Sequence, residues 1–244
     1  MGELYLVGIG PGDRRFLTAG AEDALQKADL LCGYTLYVDL IREEFPGKEI
    51  CCTPMTREIE RCRYALSRAA GGLRVALVSG GDAGIYGMAG PVLEMAGEYP
   101  DVEICIFPGI TAATAGAAVL GAPLMNDFAV ISLSDRLTPW EMIEKRLRGA
   151  AAGDFVICLY NPGSRKRKEH LKKAVQILLE EKSADTLCGY VRNIGREKEQ
   201  HGLLTLRELS SFEADMFTTV YIGNSRTEAV SGKMIALRGY ESKL

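Results

Sequence analysis

Leu4-Tyr5-Leu6-Val7-Gly8-Ile9-Gly10-Pro11-Gly12-Asp13 is the stretch on which the fold turns. An apolar run ends in glycines at every second position, the pattern of a buried β-strand running into a tight turn. Glycine has no Cβ and adopts unusual φ without strain, so a ligand can lie directly against the backbone there. The pattern recurs twice. Val75–Val78 leads into Ser79-Gly80-Gly81-Asp82-Ala83-Gly84-Ile85-Tyr86-Gly87, and Ile104–Phe107 leads into Pro108-Gly109-Ile110-Thr111-Ala112-Ala113. Open α/β sheets hold nucleotide-like ligands at strand carboxyl ends beside helix amino ends. Three such turns argue for a ligand cradled mostly by main chain. Asp82, set among four glycines, reads as a side chain that holds a ligand amine or hydroxyl.

Outward from these turns, strand and helix patterns alternate, which signals an α/β fold. Helices are expected over Thr18–Lys27, Thr56–Ala70 (stopped by Gly71-Gly72), Met88–Glu98 and Thr111–Leu120, and strands over Asp29–Cys32 and Val102–Phe107. A break falls at Gly121-Ala122-Pro123, dividing the chain into α/β halves of residues 1–121 and 122–244. The second half reads as strands Phe128–Leu133, Asp154–Tyr160, Thr186–Val191, Thr218–Ile222 and Lys233–Leu237. Between them lie a helix opened by Thr138-Pro139-Trp140-Glu141 and a charged amphipathic helix over Arg165–Glu181. Thr138 suits the N-cap, Pro139 the first helical position and Glu141 a capping box.

Composition bounds the function. The 244 residues are 47% hydrophobic and 25% charged, with net charge −3. That balance suits a globular enzyme and gives a nucleic-acid partner no electrostatic support. No run of about 18 apolar residues suggests a membrane span. Met1-Gly2-Glu3-Leu4 lacks a basic n-region and enters a strand directly, so a cytoplasmic location is expected. Seven cysteines form no Cys-x-x-Cys pair, and His170 and His201 are far apart in sequence, so no metal site is read. Cys51-Cys52 is the pair to watch, because adjacent thiols can be redox-active or can touch a metal.

The glycine turns are neither a P-loop nor a dinucleotide fingerprint, since the Gly-Lys-Ser/Thr ending is missing and Pro11 interrupts the first turn. Together, Val7-Gly8-Ile9-Gly10-Pro11-Gly12-Asp13, Gly80-Gly81-Asp82-x-x-Ile85-Tyr86 and Pro108-Gly109-Ile110-Thr111-Ala112 resemble the tetrapyrrole (corrin/porphyrin) methylases. The likeness runs in order along essentially the whole chain. Further segments are similar to the branch that methylates C17 of precorrin-3B or cobalt-factor III. They are Gly33-Tyr34-x-x-Tyr37-x-Asp39, Gly84-Ile85-Tyr86-Gly87-Met88-Ala89-Gly90, Leu120–Met125, Asp127–Asp135, Leu159-Tyr160-Asn161-Pro162 and Thr218-Thr219-Val220-x-Ile222-Gly223-Asn224-Ser225.

The resemblance implies a fold of two α/β domains with mixed sheets and flanking helices, a homodimer, and S-adenosyl-L-methionine (SAM) held in the interdomain cleft. It implies that Gly10 and Pro11 shape the cleft floor. Gly80, Gly81, Asp82, Ile85 and Tyr86 would border the methionine part of SAM, Thr111 and Ala112 would meet its carboxylate or ribose, and Tyr160 and Asn161 would close over the adenine. It implies as substrate a tetrapyrrole rich in carboxylates, for which Arg is the natural partner. Arg14, Arg57, Arg192, Arg196 and Arg238 are the candidates, whereas Lys166-Arg167-Lys168 reads as a solvated helix face.

The reaction implied is methylation at C17 with ring contraction, giving precorrin-4 or cobalt-precorrin-4 in cobalamin biosynthesis. Methyl transfer from a sulfonium needs alignment more than a catalytic triad, and orientation alone offers up to about 7–11 kcal/mol. Asp127, Ser132, Ser134 and Asp135 are candidates to assist ring contraction as acid or base. Asn126 stands where this branch commonly has His, and Thr114 where it commonly has Asn, so an imidazole base at position 126 is ruled out. Relatives on the anaerobic side can add a cysteine-bearing C-terminal domain after the segment matching Arg238-Gly239-Tyr240, and this sequence ends at Leu244. The cysteine count nevertheless leans toward an anaerobic host and a cobalt-containing ring. Competing readings are methylation at C11 or C20, a SAM-binding module without catalysis, and a nucleotide-phosphate binder.

Overall fold

A computed structural model describes residues 2–164, 167–240 and 243. By its contacts the chain divides into two compact units, Met1–Ala112 and Ala113–Leu244. This division lies one short helix before the Gly121-Ala122-Pro123 break.

The first unit runs β1 (Gly2–Gly8), α1 (Ala19–Lys27), β2 (Leu30–Tyr34), α2 (Thr35–Asp39), β3 (Glu49–Thr53), α3 (Glu58–Ala70), β4 (Arg74–Ser79), α4 (Ala89–Met95) and β5 (Val102–Phe107). Its sheet has the order β3-β2-β4-β1-β5 with every pairing parallel. Alternation along β1 explains the unbroken apolar run. Leu4 and Leu6 pack on one face with Leu66, Val75, Leu77 and Val92. Tyr5 and Val7 pack on the other with Leu25, Leu31, Ala76 and Val78. A parallel strand covered on both sides has no face left for polar residues. Thr18 caps α1, its side chain accepting from the Ala21 amide.

The second unit opens on α5 (Ala112–Leu120) and continues with β6 (Gly121–Ala122), β7 (Phe128–Ser132), α6 (Trp140–Ala152), β8 (Val156–Tyr160), α7 (His170–Leu178), β9 (Leu187–Arg192), β10 (Gln200–Thr205), α8 (Leu206–Leu209), β11 (Thr218–Ile222), β12 (Thr227–Val230) and β13 (Lys233–Ala236). Its larger sheet has the order β10-β9-β11-β8-β7, and only the β7–β8 pairing is parallel. A three-stranded sheet, β12-β13-β6, completes the unit. One core fills the face under α6, α7 and α8, with Leu133, Ile143, Leu147, Leu159, Val175 and Val220 among its members.

Packing fixes α5 within this second unit. The Tyr160 hydroxyl accepts from the Ala113 amide at 2.6 Å, and the buried Tyr221 hydroxyl donates to the Ala113 carbonyl at 2.9 Å. One residue therefore has both its peptide groups held by tyrosines from β8 and β11.

Three expectations need correction. α6 starts at Trp140 with Pro139 itself at the cap and no side-chain cap bond, because Pro139 has extended rather than helical backbone. The capping box lies elsewhere, between Thr205 and Glu208 at the start of α8. The charged helix begins at His170 rather than at Arg165, and Arg165 and Lys166 lie outside the described residues.

A Cβ on Gly116 would sit 2.3 Å from the Tyr221 hydroxyl oxygen and 3.0 Å from Ile194 Cδ1. Gly116→Ala should therefore cost about 1–3 kcal/mol of stability by urea unfolding. In a Tyr221→Phe background the added cost of Gly116→Ala should shrink, and a double-mutant cycle measures that coupling. Strict additivity would show that the clash is not with the hydroxyl.

Candidate functional site

β4, β1 and β5 lie side by side, so the three glycine turns at their carboxyl ends meet. The Gly10 amide donates to the Gly81 carbonyl at 3.0 Å, and the Gly81 amide donates back to Gly10 at 2.7 Å. A Cβ on Gly109 would lie 2.1 Å from the Gly81 carbonyl oxygen, and one on Gly8 would lie 2.6 Å from the Gly109 nitrogen. Gly80 is pressed by the Tyr37 ring, 2.5 Å from where its Cβ would be. These glycines admit other protein atoms, which revises the idea that all of them clear space for a ligand. Gly81 differs. Its φ is +74°, and a Cβ there would find nothing closer than 3.7 Å.

Asp82 is committed to the same interlock. One carboxylate oxygen accepts from the Gly84 amide at 2.7 Å and the other from the Gly109 amide at 2.9 Å. The side chain ties the second turn to the third, so a polar residue among glycines has a structural account after all. Beyond it the turn emerges: Ile85 is 40% and Tyr86 57% exposed. Tyr86 has φ of +54°, a conformation that costs a bulky residue about 1–3 kcal/mol and that clusters at functional sites. Gly10 and Pro11 are buried, whereas Thr111 and Ala112 are half-buried just beyond β5.

In the second unit, β7 and β8 run parallel and pair Ser132 with Tyr160 at their carboxyl ends. Ser132 Oγ accepts from Asn161 Nδ2 at 3.0 Å and from the Ser134 amide at 3.2 Å. Asn161 has φ of +52°, which an Asn tolerates well. Asp135 follows, with one oxygen 3.0 Å from His170 Nε2. That contact, more than the weaker pull of Arg167, holds its carboxyl below the ordinary aspartate range.

Asp127 does not join them. It precedes Phe128 at the opposite end of β7, roughly 20 Å from Ser134 at about 3.3 Å per residue. Asn126 is structural, donating to the Leu237 carbonyl at 2.7 Å. His170 and Arg167 are the residues that sequence reasoning missed here. Both come from distant chain positions, and the surrounding charge run disguised them.

The arginine candidates are scattered within their units. Arg14 pairs with Glu22 and Glu44, and Arg57 pairs with Glu60. Arg192 is bound to the Glu213 carbonyl and Asp215, and Arg196 lies over the Phe217 ring. Arg238 is exposed and has no ion pair among the described residues. Cys51 stands beside Cys32 in the β2–β3 register, and Cys52 is exposed on that edge strand. Among the described residues no three His, Cys, Asp or Glu side chains gather as a metal site, and no helix is long and apolar enough to cross a membrane.

Comparison with known proteins gives a consistent result. The family model described as Tetrapyrrole (Corrin/Porphyrin) Methylases matches residues 3–210. The chain is 49% identical over 238 residues to the "Probable cobalt-factor III C(17)-methyltransferase" of Salmonella typhimurium, covering 97% of this chain and 99% of that one. It is 41% identical over 233 residues to the "Precorrin-3B C(17)-methyltransferase" of a Sinorhizobium species, covering 94% and 91%. Among solved structures, the methyltransferase CobJ superimposes with a TM-score of 0.90 at 37% identity, covering 97% of this chain and all of that one.

Asp82→Ala would leave the half-buried Gly109 amide without its acceptor and release the exposed Gly84 amide to water. It should cost about 1–3 kcal/mol by urea unfolding, whatever it does to ligand binding. An unchanged unfolding midpoint would refute the tie. Asp135 offers a pH test. A depressed carboxyl contributes stability in full above its unfolded pKa, near 3.8, and loses it as pH falls through the folded value. Asp135→Asn should therefore be less stable than wild type at about pH 5, with the gap closing in acid below the ordinary aspartate range. A gap that persists in acid would remove the ion pair as its cause.

Proposed function

The chain belongs to the tetrapyrrole (corrin/porphyrin) methylases, and we propose that it methylates C17 of cobalt-factor III with SAM and, with an external two-electron donor, contracts the ring to cobalt-precorrin-4 in cobalamin biosynthesis. Identity of 49% to a relative named for cobalt-factor III, against 41% to one named for precorrin-3B, favours the cobalt-containing ring. Metal-free precorrin-3B, giving precorrin-4, is the second reading. The structural observation that carries the proposal is the strained, exposed Tyr86 beside Ile85, projecting from the interlocked strand ends.

The residues suit SAM. Gly81 leaves its backbone approachable, and Ile85 and Tyr86 offer the apolar and aromatic surface that a sulfonium favours. When bound, SAM supplies an electrophilic methyl group on a good leaving group. Gly81, Ile85 and Tyr86 border its methionine part, with Gly80 and Asp82 behind them as the frame and Gly10 and Pro11 beneath. Thr111 and Ala112 meet the carboxylate or ribose. Tyr160 and Asn161, in the second unit, remain the adenine-side candidates.

Rate acceleration comes from orientation and water exclusion, since the reacting ring carbon is already electron-rich. Ring contraction expels C20 as an acetyl group. Any proton handling by the second unit falls to the Ser132–Ser134–Asp135 end of β7, since Asp127 lies at the other end. The reading includes a cytoplasmic homodimer.

The deciding experiment is a paired turnover assay with methyl-labelled SAM. One arm offers cobalt-factor III with a two-electron reductant and without oxygen, the other metal-free precorrin-3B. A contracted product methylated at C17, identified by mass and NMR, is expected from the cobalt arm. Methylation at C11 or C20 would defeat the assigned position, and SAM binding without transfer to either ring would leave a binding module. Sedimentation should give twice the 26.5 kDa chain mass, and a single-chain mass would refute the dimer.

A further inference from the structure

Arg167 sits in a charge run that reads as a solvated face, yet its side chain is only 18% exposed. The loop after β8 brings it to the carboxyl end of β7, where Nη1 donates to Ser134 Oγ at 3.1 Å. A guanidinium so far out of water is costly unless a carboxylate compensates it. The nearest carboxylate is Asp135, whose Oδ1 is 4.0 Å away, too far for a hydrogen bond. The other oxygen of Asp135 is taken by His170 Nε2 at 3.0 Å. Trp140 packs edge-on against His170 at 5.1 Å, and Lys173 lies 5.7 Å from the same indole. Among the described residues the one carboxylate near Arg167 is Asp135, already engaged by His170. Arg167 Nε is buried and has no acceptor among the described residues, and the same is true of His170 Nδ1.

Ser134 occupies one end of the guanidinium and leaves the Nε side, one of the edges by which an arginine can grip a carboxylate bidentately. The location is the carboxyl edge of a parallel strand pair, where α/β sheets present ligands. We propose that Arg167 anchors one peripheral carboxylate, an acetate or propionate, of the tetrapyrrole substrate. Ser134 steadies the guanidinium, and His170 keeps Asp135 from competing for it. Because Nε is covered, docking requires the Arg167 side chain to swing toward the incoming carboxylate. The inference rests on the tetrapyrrole reading of the preceding subsection and adds to it a specificity residue.

Trp140 is the single tryptophan of the chain and touches the cluster, so its fluorescence reports a ring docking nearby. The test compares cobalt-factor III with its fully methyl-esterified form, binding each to wild type, Arg167→Gln and Arg167→Lys. Arg167→Gln should weaken the acid by about ten- to hundredfold, the range of a charge-assisted pair, and leave the ester nearly unchanged. KM for the acid should rise with little change in kcat. Affinity for S-adenosylhomocysteine, measured by calorimetry, should hold and confirms that the variants are folded. Arg167→Lys should show a smaller loss, again confined to the acid. Equal weakening of acid and ester would make the role structural and overturn the inference. Unaltered acid binding in both variants would also overturn it, while leaving the proposed reaction intact. Failure of the wild type itself to bind the acid would overturn both.

Discussion

Backbone packed directly on backbone, where Gly8, Gly81 and Gly109 converge, is the constraint on which the first unit depends. Three parallel strands end at one level there, and their turns fit because Gly8 and Gly109 carry no Cβ and Gly81 takes a φ of +74°. The paired hydrogen bonds between Gly10 and Gly81 join two turns, and one oxygen of Asp82 joins the second to the third while the other closes the second on itself. A short stretch of chain is thereby made rigid without a hydrophobic core of its own. Ile85 and Tyr86 stand on that rigid base, which can hold Tyr86 in a conformation it would otherwise leave.

The second unit reaches comparable definition by different means. Its strand ends are organised by side chains: Ser132 receives Asn161 and Ser134, and Asp135 receives His170. Main chain sets the turns of the first unit, and side chains set the strand ends of the second.

Legibility followed burial. β1, β4 and β11 were visible because each is covered and carries an apolar run. β3, β10 and β12 were not, since Glu49, Gln200, His201 and Glu228 interrupt them and their order comes from pairing with neighbours. α2, at five residues, is too short to show a period. The glycine turns marked the strand ends, but sequence could not say that the missing Cβ atoms of Gly8, Gly80 and Gly109 make room for other protein atoms. Nor could it distinguish Asp127 from Asp135, because strand direction separates them by the length of β7. Arg167 and His170 acquire meaning only when the chain returns after β8.

The position of β1 bears on how the protein is made. It is the first of these strands to be synthesised, yet it lies between β4 and β5 and pairs with no other strand. No ladder bond to Leu4–Val7 can form until the ribosome has released Arg74–Ser79, about 70 residues later. At roughly 5–20 residues per second, that apolar segment waits for several seconds without a partner strand. β2 cannot relieve it, because β2 itself pairs with β3 and β4. Nascent chains are therefore most open to chaperone capture or misassociation before β4 emerges, and the insertion of β4 between β1 and β2 ends that interval.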